Sequence, residues 1–281
     1  MIESAVGRSG MGVSDLALVA GATGGVGQLA VGTLLEKGYA VRVMTRNADK
    51  ARQMFGERVE LAIADIRQPE TLAAATAGIT HIICATGTTA FPSARWQFDF
   101  GDTPEWLAWP QVLLDANYRD LKAQNSPKVV DAIGVKNLLA AAPADLQRFV
   151  FISSCGIQRK DSFPFNLLNG FGVLDAKQKG EQAIRDSGLP YSIIRPARLT
   201  DGPYSSYDLN SLLKATTEGK LGIKLGQGDQ LNGETSRIDV AGAAVACLQS
   251  EAAKNLVFEI VNEGDRPTTI PWEEMFAALQ G

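Results

Sequence analysis

Leu16-Ala-Leu-Val-Ala-Gly21-Ala-Thr-Gly24-Gly-Val-Gly27-Gln28 is the stretch from which the rest of the chain is read. A short apolar run with a β-branched residue feeds three glycines spaced G-x-x-G-x-x-G, and an amphipathic segment then runs to Lys37, where Gly38 stops it. The pattern predicts strand, tight turn and helix. Gly21 permits the turn, Gly24 lets backbone approach a ligand closely, and Gly27 lets the helix pack on the strand. The free N–H groups and the helix dipole then attract a pyrophosphate. Glycine spacing carries weight only inside a strand–helix–strand unit. Tyr39-Ala-Val-Arg-Val-Met-Thr45 supplies the second strand, so Gly21, Thr23, Gly24, Gly25, Val26 and Gly27 are candidate residues for holding a dinucleotide.

Outward from that unit, strand candidates alternate with helix candidates. Strands are expected at Leu16–Ala20, Ala40–Thr45, Val59–Ala64, His81–Ala85, Arg148–Ser153 and Tyr191–Arg195, separated by helical segments such as Gln28–Lys37, Pro69–Ala77 and Val129–Ala141. This order predicts an α/β fold, a doubly wound parallel sheet covered on both faces. Beyond Pro196 the pattern changes. Leu209–Thr216 reads as helix, 221–233 as Gly-rich and extended, Asp239–Gln249 as a small-residue helix, Leu256–Val261 as strand, and a last helix starts near Trp272. The expected organisation is a flexible tail over 1–15, a Rossmann domain over 16–199 and a small C-terminal α+β substrate lobe over 200–281.

Composition bounds the partners. The 281 residues carry a net charge of −4, with no Lys/Arg-rich run, which argues against a nucleic-acid or anionic-membrane footprint. No apolar run approaches the ~18 residues of a spanning helix. Cys84, Cys155 and Cys247 are odd in number and widely spaced, giving neither a disulfide framework nor a zinc pattern, and a reducing compartment follows. With one histidine, His81, expected to pack within a strand, a His-based metal site or a Ser-His-Asp triad has little material. No metal is expected.

Two segments fall outside the α/β grammar. Residues 86–126 are too long for an ordinary connection and hold Trp96, Trp106 and Trp109, with Phe91, Phe98 and Phe100 nearby. This aromatic insert, 91–109, reads either as a ligand-facing surface near the strand carboxyl ends or as a satellite core. Phe163–Leu174 is unusually apolar, and roofing a substrate pocket, docking a partner and packing against the insert all remain open for it.

Gly21-Ala-Thr-Gly24-x-x-Gly27, Ala64-Asp65-Ile66, Ser153-Ser154, Gly188-Leu-Pro-Tyr-Ser-Ile-Ile-Arg195-Pro196 and Arg237-Ile-Asp239-Val-Ala, in that order, resemble the atypical short-chain dehydrogenase/reductases of the NmrA-like and chloroplast assembly-factor type. The resemblance spans roughly Leu16 to Val261. It implies that Asp65, followed by Ile66, meets the adenine amino group, that Ala85 and Thr86 flank adenosine and ribose, and that Gly87 and Pro196 also contact the cofactor. It also implies a polar catalytic role for Ser154 and a ribose contact for Lys177. Members include reductases, epimerases, redox sensors and non-catalytic assembly factors.

Two positions steer the choice among these. NAD-selective sites place an acid near the end of the second strand, whereas an arginine there suits the extra phosphate of NADP. Here the run is Met44-Thr45-Arg46-Asn47, so NADP (NADPH) is the expected cofactor. Active members pair Tyr and Lys one helical turn apart, and Lys177 matches the lysine while Val173 stands at the tyrosine position. Valine transfers no proton, and Tyr204 or Tyr207 is the available substitute. Two classes stay open: an NADPH-dependent reductase of an apolar carbonyl or enone, and a cofactor-bound scaffold or redox-responsive assembly factor that meets a protein partner through 91–109 and 163–174. A cytoplasmic or plastid stroma-like reducing compartment suits either.

Overall fold

Strand β1, Leu16–Ala20, is buried on both faces, as expected for a strand in the middle of a covered parallel sheet. A computed structural model gives the coordinates and describes residues 15–92, 96–200 and 221–281. The expected tail, the helix at Leu209–Thr216 and the two substitute phenols, Tyr204 and Tyr207, lie outside the described residues.

From β1 the chain runs through α1 (Gly25–Glu36), β2 (Ala40–Thr45), α2 (Ala48–Phe55), β3 (Glu60–Ile63), α3 (Leu72–Thr76) and β4 (His81–Cys84). The 86–126 insert, expected as a loop, contains α4 (Glu105–Leu114) and α5 (Ala116–Lys122). Pro110 inside α4 hides that helix from a reading by helix-breaking residues, and Asp115 starts the second by accepting the Asn117 and Tyr118 amides. A wide π-helical stretch, Lys128–Gly134, continues into α6 (Val135–Ala141). Then follow β5 (Arg148–Ile152), a one-turn helix α7 (Phe165–Leu168), α8 (Val173–Asp186), β6 (Tyr191–Pro196), the two-residue strand β7 (Arg198–Leu199), β8 (Leu221–Gly226), β9 (Glu234–Thr235), α9 (Arg237–Gln249), β10 (Leu256–Asp265) and α10 (Trp272–Ala277).

The main sheet has the order β3-β2-β1-β4-β5-β6-β10-β8. All neighbours are parallel except β10 and β8. The C-terminal residues that are described therefore extend the sheet, and α9 lies on its face against α1 in the same apolar cluster. Because strand side chains alternate, Val19, Val43, Ile83, Val150 and Ile194 fill one cluster and Leu18, Met44, Ile82, Phe149 and Ile193 the other. The strand order reverses direction between β1 and β4, and a crevice opens at their carboxyl ends, where open α/β sheets bind ligands.

His81 is buried in β4 with its ring edge against Tyr39 at 5.8 Å between centroids, and burial lowers its pKa, so it packs as a neutral side chain. Three cysteines are free and buried. Among the described residues no helix is long and apolar enough to cross a membrane.

Candidate functional site

The turn after β1 is built as its glycines require. Gly21 has φ +81°, and a Cβ there would stand 2.6 Å from the Ala85 carbonyl oxygen. A Cβ on Gly27 would fall 2.2 Å from the Gly21 oxygen, so only glycine lets α1 start this close to the turn. Gly24 is exposed at the start of α1, no side chain caps that end, and no acid occupies its first turn. The positive end of a twelve-residue helix thus faces the crevice without an internal anion, which suits a pyrophosphate.

The crevice has a volume of about 550 Å³. Of the residues expected from sequence, Gly21, Thr23, Gly24, Arg46, Asp65, Ile66, Ala85, Thr86 and Gly87 line it. Gly25, Val26 and Gly27 lie behind it in the first turn of α1, and Ser154, Lys177 and Pro196 are also outside its lining.

Sequence reading passes over Arg67 and Asn125, which line the crevice too. Arg67 holds Asp65 through a fork: Nε donates to Oδ1 at 2.9 Å and Nη2 donates to Oδ2 at 2.5 Å, while Nη1 reaches the Gln124 carbonyl of the insert at 3.0 Å. Arg46 stands 3.9 Å from the same carboxylate and is mostly exposed. Burial pushes the Asp65 carboxyl upward, but the hydrogen bonds and charge of Arg67, with Arg46 behind them, outweigh it and leave the group below its ordinary value. The crevice wall therefore carries two guanidiniums against one carboxylate that is already bound.

Lys177 comes from the buried face of α8, beside Val173, Leu174, Gly180, Glu181 and Ile184. Gly180 brings α8 against the π-helical stretch, since a Cβ there would meet the Asp131 carbonyl at 2.5 Å. That approach places the Lys177 ammonium 2.8 Å from Asp131 Oδ1. Lys177 also donates to the Ile152 carbonyl at 2.8 Å and to the Thr86 carbonyl at 3.4 Å, and lies over the Phe151 ring. Three acceptors face its three N–H bonds. The Thr86 contact is the longest and the one most readily exchanged for a ribose hydroxyl. Asp131 is the other residue that sequence reading missed; burial raises its pKa, and Lys177 and the Thr88 amide pull it partly back.

The serines after β5 divide their work. Ser153 is buried and donates to Glu181 at 2.7 Å, and Glu181 takes the Arg195 fork at 2.9 and 2.7 Å. Ser154 is only partly buried and donates to the Cys155 carbonyl at 3.0 Å. Val173 packs with Leu174 and Ile157 in a small apolar cluster, so no proton donor occupies that position.

Both irregular segments are partly packed and partly exposed. Phe98 stacks with Phe100 at 5.3 Å, and Trp96 and Trp109 join the cluster, whereas Trp106 is 73% exposed. The loop meets the insert region through Phe171 against Phe91, while Phe163 and Leu167 are exposed.

Cys155, Asp229 and Glu259 bring one ligand atom each within 4.8 Å of one another. Their hydrogen bonds are already committed. Asp229 accepts the Gly156 and Gln158 amides at 2.6 and 2.7 Å, Glu259 accepts those of Asp229 and Leu231, and the Cys155 thiol, pushed up to about 12 mainly by burial, donates to the Arg195 carbonyl. The group ties the turn around Asp229 to the end of β5.

A family model described as NAD(P)H-binding matches residues 21–251. Sanguinarine reductase from Eschscholzia californica is 31% identical, over 93% of this chain and 95% of that protein. Protein TIC 62, chloroplastic, from Arabidopsis thaliana is 28% identical over 94% of this chain, which spans only 38% of that longer relative. A solved structure of a putative NAD-dependent epimerase/dehydratase from Bacillus halodurans superposes with a TM-score of 0.65 at 21% identity, over 95% of this chain and all of the other.

Proposed function

Because the chain belongs to the NAD(P)H-binding family of atypical short-chain dehydrogenase/reductases, we propose that it is an NADPH-dependent reductase of an apolar carbonyl or enone-type small molecule. The observation that carries the cofactor choice is the pair Arg46 and Arg67 around an already bound Asp65. A 2′-phosphate there meets a guanidinium, and no free carboxylate repels it. The uncapped start of α1 receives the pyrophosphate, with Gly21, Thr23, Gly24, Gly25, Val26 and Gly27 forming the turn around it. Ile66, Ala85, Thr86 and Gly87 flank the adenosine, and Asp65 borders the adenine amino group.

When bound, the reduced nicotinamide supplies a hydride. The chain would orient it: Lys177 would exchange its long Thr86 contact for a ribose hydroxyl, with Pro196 a further cofactor contact. Ser154 turns its hydroxyl from the Cys155 carbonyl to the substrate oxygen and polarises it. With Val173 in place of a phenol, the proton that completes the alcohol comes from water. A reducing compartment, cytoplasmic or stroma-like, is the expected setting, supported by the free buried cysteines and by the chloroplastic relative.

The test is loss of reduced-nicotinamide absorbance with a panel of quinones, enones, aldehydes and sanguinarine. Turnover that falls on Lys177→Ala supports the reductase. Val173 favours a second reading, a cofactor-bound scaffold that meets a protein through the insert and loop; tight NADPH binding with no turnover across the panel selects it.

A further inference from the structure

On the far side of α8 from Val173 and Lys177, a second cavity of about 300 Å³ opens between α5, the start of the π-helical stretch and the loop leading into α8. Its lining includes Arg119, Ser126, Lys128, Phe171, Asp175 and Lys179. None of these residues lines the dinucleotide crevice.

Arg119 is 9% exposed, and among the described residues no carboxylate pairs with it. Its guanidinium gives one hydrogen bond, from Nη1 to the Val112 carbonyl at 3.0 Å, and lies 4.8 Å from the centre of the Phe171 ring. A carbonyl and a ring face answer part of a buried cation's demand, and most of its five N–H donors are left over. The remaining guanidinium N–H groups are not sealed from solvent, and Arg119 lines the cavity, so an anion there meets them directly. Ser126 repeats the pattern: it is 2% exposed, and its buried hydroxyl has no partner.

The charges around the cavity do not cancel. Lys128 is paired with Asp120 at 2.8 Å, and Asp175 is paired with Lys160. Among the described residues that leaves Arg119 without an acid, while Lys179 has only a share of Asp175, one helical turn away and already held by Lys160, so the lining keeps a net positive charge.

We infer that this cavity is an oxyanion site, built to take a phosphate group, free or carried by a small molecule, with Arg119 as its buried anchor, Ser126 as a hydroxyl donor and Lys179 at its mouth. Phosphate matches a guanidinium fork in shape and charge, and a tetrahedral dianion meets Arg119 and Lys179 at once. The site is independent of the proposed cofactor chemistry.

The test is titration of the full chain with inorganic phosphate by calorimetry, at constant ionic strength held with chloride, in the presence of saturating NADP so that the dinucleotide crevice is filled. Saturable binding is expected. It falls at least about tenfold in Arg119→Gln, a change worth about 1.4 kcal/mol. It falls by roughly threefold in Lys179→Gln, whose exposed side chain leaves the fold untouched. Should Arg119→Gln unfold, Lys179→Gln and Ser126→Ala carry the test. Repeating it with a phosphorylated sugar separates free phosphate from a phosphate-bearing ligand, since the carried group binds more tightly only if the cavity also holds its remainder. The inference is overturned if phosphate produces no heat beyond that of chloride, if NADP abolishes the binding, or if the variants bind phosphate as the unaltered chain does.

Discussion

Replacing Lys177 by Met turns the Asp131 pair into a titration experiment. The ammonium sits 2.8 Å from Asp131 Oδ1, and the carboxylate is fully buried. Burial raises the Asp131 pKa, while the charge and hydrogen bond of Lys177 are the next largest influences and lower it. Met keeps the unbranched stem and removes both, so the folded-state pKa rises further. Between the unfolded value, about 3.9, and the raised folded value, the folded protein holds a proton that the unfolded chain has lost. Stability therefore falls as pH rises through that window, by about 1.4 kcal/mol per unit, and levels off above it. In the unaltered chain the same window is narrower, because Lys177 pulls its upper end down. The difference between the two should thus be small near about pH 4 and widen to roughly 3–5 kcal/mol by neutrality, the usual result of stranding one partner of a buried pair. Urea unfolding of the cofactor-free protein across that range measures it. Adding Asp131→Asn to Lys177→Met should remove the pH dependence of the difference. A Lys177→Met curve parallel to that of the unaltered protein would refute the coupling.

Gly27→Ala is expected to cost about 1–3 kcal/mol and abolish dinucleotide binding, because its Cβ would lie 2.2 Å from the Gly21 oxygen and must push the turn away; thermal unfolding and NADPH calorimetry check both parts. The three thiols should resist a water-soluble thiol reagent at mildly alkaline pH in the folded protein and react fully on unfolding, since all are buried and burial raises the Cys84 pKa and pushes Cys155 and Cys247 up to about 12. Rapid native labelling of any one would contradict this.

The parallel core was legible because its strands are covered on both faces, so continuous apolar runs mark them. The bounds of β1 and β2 coincide with the expected ones, and those of β3 to β6 differ by no more than a residue at either end. Helix α2 has less apolar signal, burying only Ala51 and Phe55, although Asn47, which accepts the Lys50 amide, marks its start. Helices α4 and α5 are hidden in the sequence because Pro110 interrupts the first and Asp115 separates the two. At the site, a local motif revealed the glycine turn, Arg46 and Asp65. Arg67 stands two residues past Asp65, but no local pattern marks it, because its role is the fork it makes back onto that carboxylate. Asp131 could have been suspected as an acid within an apolar helical stretch. Its partner is 46 residues further on, and only the close approach at Gly180 joins them.

The central claim is that the crevice between β1 and β4 holds a dinucleotide and that guanidinium charge selects its 2′-phosphate. Calorimetric titration of the unaltered chain and of Arg46→Ala with NADPH and with NADH tests it most directly. The account predicts tighter binding of NADPH, by about tenfold or more, and a loss of that preference in Arg46→Ala with NADH affinity unchanged. Equal losses for both nucleotides, or no heat with either, would contradict it.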